Sequence, residues 1–527
     1  MLAREHVGDD IRADHALAFG HRGAPLIDSW MNRGVWACGG RNTLRPTRTP
    51  LHHFYRCDPA VSWFARVSLP TRMASAIGGL WELPARLASP VSLAEVMRRR
   101  RIPGVGVAVI AHGQPEWAGG FGVRSAEGAD PVTADTLFQA GSISKPVAAL
   151  CALRLVAEGH LELDGEVNDK LATWRIGAVG EWQPRVTLRH LLSHTAGLTG
   201  HGFPGYRRDE PAPSLVDILD GQGNTLPVRV RTVPGLQFSY SGGGYCVLQQ
   251  LLVDVTGEPF PELARRLVLE PLGMKRSTYE QPLPESLHAE AAVGHRTGGG
   301  PVDGGWHVYP EMAAAGLWTT PSDLARVVLA LQRARSGGEP SFLPPGLVDE
   351  LLTPQAANVP MGLGMLLEGD GASRRFSHGG DDQGFVAKTI GYVENGLGAV
   401  VMTNSDDGYW VIEHLLEAMA RAYAWPDYLP DEPPLRAASI EESDTCTGTY
   451  VSEEGQQVRV GSAGESLSAS VADQLPIPIA PVSATEWHAV SLALTLTFEI
   501  GISGRAERMR LHQDAEYTQD VEFTRLV

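Results

Sequence analysis

Gly141-Ser-Ile-Ser-Lys145 opens a run of mainly apolar residues that continues to Glu158 and is followed by Gly159. Such a run leaves little polar surface on a helix, so it predicts a helix buried on nearly all sides. A glycine directly after it is typical of a helix C-terminus. Ser142 and Lys145 stand three residues apart and therefore share one face of the predicted helix. The free N–H groups and partial positive charge of a helix N-terminus lie at the same place.

The spacing of Ser142 and Lys145 is also a chemical pattern. A lysine amine directed into an apolar site can take the proton of a neighbouring serine hydroxyl and make it a nucleophile. Ser144 is a second hydroxyl in the same turn, but no lysine follows it at that offset, so Ser142 is the preferred candidate. The four-residue pattern alone also fits a serine that caps a helix and a solvated lysine.

Two groups of predicted strands lie on either side of a helical region. Gly104–Ile110 is rich in valine and isoleucine and predicts a buried strand, with 114–123 as its antiparallel partner. Further strands are predicted near 384–392 and 397–403. Helices are predicted between them, near 187–193, 244–256, 260–270 and 321–335. This order predicts an α/β fold in which one antiparallel sheet, built from early and late strands, is flanked by helices.

The two ends of the chain differ from this central part. Residues 1–88 are rich in Arg, His, Pro and Gly with little periodicity, and predict a poorly ordered N-terminal extension; a regulatory or partner-binding segment is the alternative. A central domain is predicted over 89–430. A proline-rich linker over 425–434 precedes short predicted strands, so 436–527 predicts a small all-β barrel or sandwich.

Composition narrows the classes of function. The formal net charge of −17 argues against nucleic acid as a partner, because phosphate binding needs clustered Lys and Arg. The five cysteines are scattered without a CxxC pair, and no metal-ligand spacing, phosphate loop or dinucleotide fingerprint is found, so no metal or cofactor is expected. No apolar stretch is long enough for a membrane span, and no secretory signal is visible, which favours a cytoplasmic location. The oligomeric state stays open.

Several motifs in a fixed order resemble one family over about residues 90–425. The chain is similar to the penicillin-recognising serine hydrolases, which include class C β-lactamases, D-Ala-D-Ala carboxypeptidases, D-aminopeptidases and related esterases. Besides the serine–lysine pattern, the resemblance rests on Leu191-Leu-Ser-His-Thr-Ala-Gly-Leu198, Pro234-Gly235, Phe238-Ser-Tyr-Ser-Gly-Gly-Gly-Tyr245, Leu269-Glu-Pro-Leu-Gly-Met274 and Ala315-Gly-Leu-Trp-Thr-Thr-Pro-Ser-Asp-Leu324. It implies a β-lactamase/transpeptidase-like fold, and the predicted barrel is similar to the lipocalin-like C-terminal domains of some members.

The resemblance assigns a role to Tyr240. It occupies the tyrosine position of the family's Y-x-N motif, where that tyrosine shares the protons of Ser142 and Lys145 and protonates the leaving group. Gly242 stands where the family has asparagine, which contacts a substrate amide. The missing amide puts recognition of β-lactams and peptides in doubt and makes esters, thioesters or unusual amides better candidates.

His378-Gly379-Gly380 stands where the family carries K-T-G or H-x-G. Histidine is less permanently charged than lysine, so a strong demand for a substrate carboxylate is not expected. Gly379 and Gly380 are expected to let substrate approach the strand backbone. By the family pattern, the backbone N–H groups of Asp381 and Ser142 would form the oxyanion hole.

The resemblance therefore implies a serine hydrolase that forms an acyl-enzyme on an ester or amide, of the esterase or D-amino-acid peptidase type. The expected partner is a small-molecule or peptide acyl substrate. The alternatives are a penicillin-binding-protein-type thioesterase that cyclises peptides, an acylated receptor without turnover, and a β-lactamase. His194, which looks like part of a hydrolase motif, is expected to be structural.

Overall fold

The computed structural model describes residues 70–78, 92–338, 341–356, 360–429, 438–463, 466–471, 476–489, 494–513 and 520–526. Most of the predicted N-terminal extension, 1–88, lies outside the described residues, and so does the end of the predicted linker.

Helices fill the middle of the chain, as predicted. They are α1 (Thr71–Gly78), α2 (Leu93–Arg100), α3 (Ser144–Ala157), α4 (Leu188–Leu192), α5 (Leu215–Leu219), α6 (Gly242–Thr256), α7 (Phe260–Ala264), α8 (Met312–Ala315), α9 (Pro321–Arg335), α10 (Pro345–Leu351), α11 (Gly408–Tyr423) and α12 (Ile440–Cys446). Within the described residues, none of these helices has the length and apolar character needed to cross a membrane.

Strands precede and follow this helical region. Those before the C-terminal part are β1 (Gly104–Ala111), β2 (Gln114–Gly122), β3 (Phe138–Gln139), β4 (Tyr206–Arg207), β5 (His307–Val308), β6 (Trp318–Thr319), β7 (Leu366–Glu368), β8 (Arg375–Asp382), β9 (Phe385–Tyr392) and β10 (Gly398–Thr403). The C-terminal strands are β11 (Gly448–Ser452), β12 (Gln457–Ala463), β13 (Ser466–Val471), β14 (Ile477–Pro481), β15 (Glu486–Ala489), β16 (Leu494–Ile500), β17 (Ala506–Gln513) and β18 (Val521–Arg525).

The central sheet joins the early and late strands. Its order is β2-β1-β10-β9-β8-β7, and every neighbouring pair is antiparallel. Val105 of β1 pairs with Thr403 of β10, although nearly the whole helical region separates them in the chain. The predicted α/β class, one antiparallel sheet flanked by helices, is therefore confirmed.

Both faces of this sheet are covered. On β1, Val105, Val107 and Val109 face a core formed with α1, α2 and α11, whereas Ala108 and Ile110 face the larger core that contains α3, α6 and α9. Successive side chains of a strand point to opposite faces, so a strand covered on both sides is apolar throughout. This explains why β1 appears in the sequence as an unbroken apolar run.

The C-terminal strands form a closed antiparallel barrel. Each strand from β11 to β18 pairs with the next, and β11 pairs with β18 to close the ring. Large side chains, including Tyr450, Trp487 and Phe498, fill a core of their own. The predicted all-β C-terminal barrel is therefore confirmed, while the domain boundaries stay a prediction.

Helix α1 lies inside the segment predicted to be poorly ordered. Its side chains Met73, Ala76 and Ile77 are buried in the core on the α11 side of the sheet, and Met73 is 0% exposed. The guanidinium of Arg72 also lies 5.7 Å from the ring centroid of Tyr423 on α11. These eight residues form a helix with a buried face, while the poor order predicted for 1–88 as a whole stays a prediction. Their short apolar face packs on the fold, a contact that local composition does not indicate.

This packing predicts a sharp boundary for N-terminal truncation. Deletion of residues 1–69 is expected to leave the free energy of unfolding nearly unchanged, because α1 stays in place. Deletion of residues 1–78 removes Met73, Ala76 and Ile77 from the core and should cost about 3–5 kcal/mol. Denaturant unfolding of the two truncated proteins measures the difference. Equal stability of both would contradict the role of α1.

Candidate active site

The serine–lysine pattern occupies a tight turn and the first turn of α3. Gly141 has φ +51°, a left-handed conformation that favours glycine, and begins a 3₁₀ turn, Gly141–Ile143, that leads directly into α3. Lys145 Nζ lies 2.9 Å from Ser142 Oγ and donates a second hydrogen bond to the Ala314 carbonyl on α8, at 2.8 Å. The hydroxyl and the amine are therefore in direct contact.

Lys145 is buried without a carboxylate partner. It is 2% exposed, and no carboxylate of the described residues lies within ion-pair distance of its amine. Two aromatic rings surround the amine instead, with the centroid of Tyr240 at 5.1 Å and that of Tyr245 at 5.9 Å. The amine is therefore held by a hydroxyl, a carbonyl and two aromatic rings.

Tyr240 lies between the amine and the predicted histidine. Its ring centroid is 6.3 Å from that of His378, and its hydroxyl is buried with no hydrogen-bond partner in the described part of the chain. The Tyr240 ring also stacks on the imidazole of His194, with 4.3 Å between the ring centroids and 29° between the ring planes. The structure thus brings Ser142, Lys145, Tyr240 and His378 close together through pairwise contacts, and the space around these four side chains is called the cleft below.

His194 packs against the ring of Tyr240. It is buried, and its Nδ1 accepts a hydrogen bond from the Ser241 N–H at 3.1 Å. Burial, reinforced by the charge of Lys145, lowers the pKa of His194 well below its usual value and keeps the ring neutral. Sequence reasoning treated His194 as structural and missed its stacking on Tyr240, because only the fold brings the two rings together.

His378 is held on β8 by its own neighbour. It is 1% exposed, and its Nδ1 lies 2.6 Å from the Gly379 carbonyl. A carbonyl oxygen can only accept, so the proton of this hydrogen bond resides on Nδ1. This contact fixes the orientation of the imidazole ring beside Tyr240.

The surroundings of the glycines on and beside β8 show which positions have room for a side chain. A Cβ at Gly380 would lie 1.9 Å from the Ala140 carbonyl, and a Cβ at Gly141 would lie 2.4 Å from the Asp381 nitrogen. Packing against the Ser142 turn therefore leaves no room for a side chain at Gly380, while its expected role in substrate approach stays a prediction. A Cβ at Gly379 would meet nothing closer than 4.0 Å, so only this position leaves room along the strand. The close packing brings the backbone of Asp381 next to Ser142.

Two buried carboxyl groups beside the cleft were not predicted from the sequence. Glu311 is 0% exposed and directly precedes α8, the helix whose Ala314 carbonyl binds Lys145. Its carboxylate oxygens have no hydrogen-bond partner from another described residue, and burial raises its pKa from 4.5 to about 7. Burial likewise raises the pKa of Asp382 well above its usual value. No motif marks either position, since their burial depends on the fold.

The buried Glu311 predicts a pH-dependent stability. Between about pH 4.5 and 7 the folded protein keeps this proton while the unfolded chain releases it, so stability falls as pH rises through this range. Glu311→Gln keeps the shape without an ionisable group. The variant should match wild type near pH 4 and exceed it by about 3 kcal/mol at pH 8. Denaturant unfolding at both pH values measures this, and a difference independent of pH would contradict it.

Within the described residues, no cluster of three or more His, Cys, Asp or Glu side chains is arranged to hold a metal ion.

Known proteins resemble this chain in sequence and in fold. Esterase EstB of Burkholderia gladioli is 30% identical over 301 residues, which cover 50% of this chain and 72% of that protein. Penicillin-binding protein 4 of Amycolatopsis lactamdurans is 32% identical over 197 residues, covering 37% of this chain and 49% of that protein, about half its length. The structure of an octameric penicillin-binding protein homologue from Pyrococcus abyssi aligns with a TM-score of 0.57 at 21% identity, covering 82% of this chain and 98% of that one.

The likeness to the Pyrococcus abyssi structure shows the fold alone, because the sequence identity is only 21%. The family relationship rests on sequence. The Beta-lactamase family model matches residues 92–423, a range that contains the central sheet, its flanking helices other than α1, and the Ser142 site. The chain belongs to the beta-lactamase family.

Proposed function

We propose that the protein is a serine hydrolase that cleaves esters or amides through an acyl-enzyme formed on Ser142. The observation that carries this proposal is the 2.9 Å contact between Lys145 Nζ and Ser142 Oγ in a buried cleft. The relatives support the reaction class, because their names include an esterase, a β-lactamase and an Aspergillus violaceofuscus unguisins hydrolase.

The proton path follows from the contacts of Lys145. As a neutral amine it can keep one N–H on the Ala314 carbonyl and direct its lone pair at the Ser142 hydroxyl. It then takes the hydroxyl proton while Oγ attacks the substrate carbonyl. The ammonium that forms faces the rings of Tyr240 and Tyr245, which stabilise a cation.

Tyr240 is proposed to donate its hydroxyl proton to the leaving group. The Lys145 ammonium then gives the proton that it took from Ser142 to Tyr240. The buried Tyr240 hydroxyl has no partner of its own among the described residues, so it is available for a group bound in the cleft. Collapse of the tetrahedral intermediate then leaves Ser142 acylated. Water activated by the same pair releases the acid and restores the serine.

The tetrahedral intermediate carries a negative charge on the former carbonyl oxygen. We assign its stabilisation to the backbone N–H groups of Ser142 and Asp381, whose segments pack directly on each other. One such donor contributes roughly 3 kcal/mol to the lowering of the barrier. His378, which lies on the same strand as Asp381, is proposed to contact the substrate. Because histidine is less permanently charged than lysine, this contact does not require a carboxylate on the substrate.

A substrate panel tests the proposal. It contains p-nitrophenyl esters, D- and L-aminoacyl p-nitroanilides, a chromogenic cephalosporin and a peptidyl thioester. We expect Ser142-dependent hydrolysis of the esters, with an acylated Ser142 detected by mass spectrometry after rapid quenching. Absence of both turnover and acylation across the panel would overturn the proposal. Turnover limited to the cephalosporin would identify a β-lactamase, and cyclised thioester product would identify a cyclase.

A further inference from the structure

The carbonyl that binds the Lys145 amine belongs to a helix too short to hold its own position. Helix α8 has four residues, and its Ala314 carbonyl accepts a hydrogen bond from Lys145 Nζ at 2.8 Å. A helix of one turn leaves most of its backbone N–H and C=O groups without partners inside the helix. Other parts of the chain must therefore bind these groups and place the carbonyl.

Gln249 on α6 binds two backbone groups at the start of α8. Its Nε2 donates to the Pro310 carbonyl at 3.1 Å, and its Oε1 accepts from the Ala313 N–H at 2.9 Å. A side-chain amide carries both a donor and an acceptor, so one residue satisfies both groups, and their chemistry fixes which way the amide faces. Gln249 is 4% exposed and Ala313 is 0% exposed. Bulk water therefore does not compete for the hydrogen bond between them.

A second glutamine binds the outer ends of the same segment. Gln281 Nε2 donates to the Gly316 carbonyl at 2.7 Å, and its Oε1 accepts from the Tyr309 N–H at 3.2 Å. These two hydrogen bonds do not involve Gln249. A change at Gln249 is therefore expected to loosen the part of the segment next to Ala314 while both of its ends stay attached.

Gln249 also connects the two side chains that are proposed to share the proton. Helix α6 begins two residues after Tyr240, whose ring centroid lies 5.1 Å from Lys145 Nζ. Along α6 the path reaches Gln249, which binds Ala313, and the carbonyl of the next residue, Ala314, binds the amine. The amide of Gln249 thus sets the distance between the helix that follows Tyr240 and the acceptor of Lys145.

We propose that Gln249 is a positioning residue for proton transfer, which acts through the Ala314 carbonyl to orient the Lys145 amine toward Ser142. The inference rests on the proposed function and adds to it a residue that no sequence motif indicates. The amine directs its lone pair at Ser142 Oγ only while one of its N–H groups is held by a fixed acceptor. A displacement of about 1 Å from the reacting geometry can cost on the order of 100-fold in rate.

Gln249→Met removes both hydrogen bonds and nearly keeps the length of the side chain. We expect kcat for p-nitrophenyl acetate to fall by about 10- to 100-fold, and the rate of fluorophosphonate labelling of Ser142 to fall in parallel. KM should stay within about threefold of wild type, because Lys145 acts in acylation and in deacylation and both steps slow together.

Gln249→Asn is the milder variant and serves if the methionine variant does not fold. It keeps the amide but is one methylene shorter, so it cannot reach Pro310 and Ala313 together. We expect kcat to fall by about three- to tenfold. A wild-type kcat in a folded variant of either kind would overturn the inference.

Gln332→Met is the matched control. Gln332 on α9 is 6% exposed, and its Nε2 donates to the carbonyls of Tyr392 and Leu397 at 2.8 and 2.9 Å. This variant also loses two hydrogen bonds between a buried amide and the backbone, but not beside Lys145. It should keep kcat within about threefold of wild type, and thermal unfolding compares its stability with that of the Gln249 variants. An equal loss of kcat in Gln249→Met and Gln332→Met would overturn the inference.

A double-mutant cycle tests whether Gln249 acts through Lys145. In the Lys145→Met background the amine is absent, so Gln249→Met should change the remaining labelling rate by less than about threefold. The full decrease in that background would overturn the inference while the proposed function stands. If wild type neither hydrolyses the ester nor is labelled at Ser142, both are overturned.

Discussion

Replacement of Ser142 by alanine is expected to lower kcat for ester hydrolysis by at least about 10⁴-fold, because removal of the nucleophile leaves only binding and oxyanion stabilisation. The variant should also fail to react with a fluorophosphonate probe that labels wild type. Alanine removes only a hydroxyl that is bonded to Lys145, so the fold should be retained. Steady-state kinetics and mass spectrometry of the labelled protein measure both effects.

Ser144→Ala is the matched control in the same turn. Ser144 is buried, its hydroxyl donates to the Gly141 carbonyl at 2.6 Å, and it accepts from the Leu317 N–H at 3.0 Å. Its loss should cost about 1–3 kcal/mol of stability, since two buried groups lose a partner, while probe labelling persists. Labelling that survives in Ser142→Ala but disappears in Ser144→Ala would show that Ser144, and not Ser142, is the nucleophile.

Substitution of Lys145 by methionine is the second large effect. Methionine is of similar length and apolar, so it can fill the pocket between Tyr240 and Tyr245 but cannot accept a proton. We expect kcat to fall by about 10⁴-fold, the upper range for loss of a positioned base, and probe labelling to slow in parallel. Stability should fall by about 1–3 kcal/mol, because the Ser142 hydroxyl and the buried Ala314 carbonyl both lose their hydrogen-bond partner.

Lys275→Met provides the comparison for this variant. Lys275 is exposed, so its substitution tests the same chemical change outside the cleft. It should retain wild-type kcat and labelling. A Lys145→Met protein that is folded and still turns over esters at the wild-type rate would remove Lys145 from the mechanism.

Sequence reasoning was strongest where a pattern is local. The three-residue spacing of Ser142 and Lys145 lies within one helical turn, so the geometry of the helix alone predicts that the two side chains meet. The apolar run of β1 likewise predicts a strand covered on both faces, and the short strands after residue 436 predict the barrel. The same local reasoning did not find α1, because its buried face consists of only three residues within a segment of little periodicity.

Other features have no local pattern. Glu311 and Asp382 are ordinary acids in the sequence, and only the packing around α8 and the end of β8 buries them. The ring of Phe203 fills space beside Gly242 although 38 intervening residues separate them in the chain. Distances of this kind are set by how helices and strands pack, which spacing along the chain does not encode.

The sequence by itself determined the serine–lysine pair, the buried helix that carries it and the individual strands of the sheet and the barrel, because each depends on contacts within one helical turn or on a local pattern of apolar residues. Only the tertiary structure decided how the early and late strands pair, that Tyr240 and the Ala314 carbonyl lie beside the Lys145 amine with His378 next to Tyr240, and that Gly380 has no room for a side chain. The physical reason is that these groups come from distant segments, and their meeting depends on the close packing of the whole core.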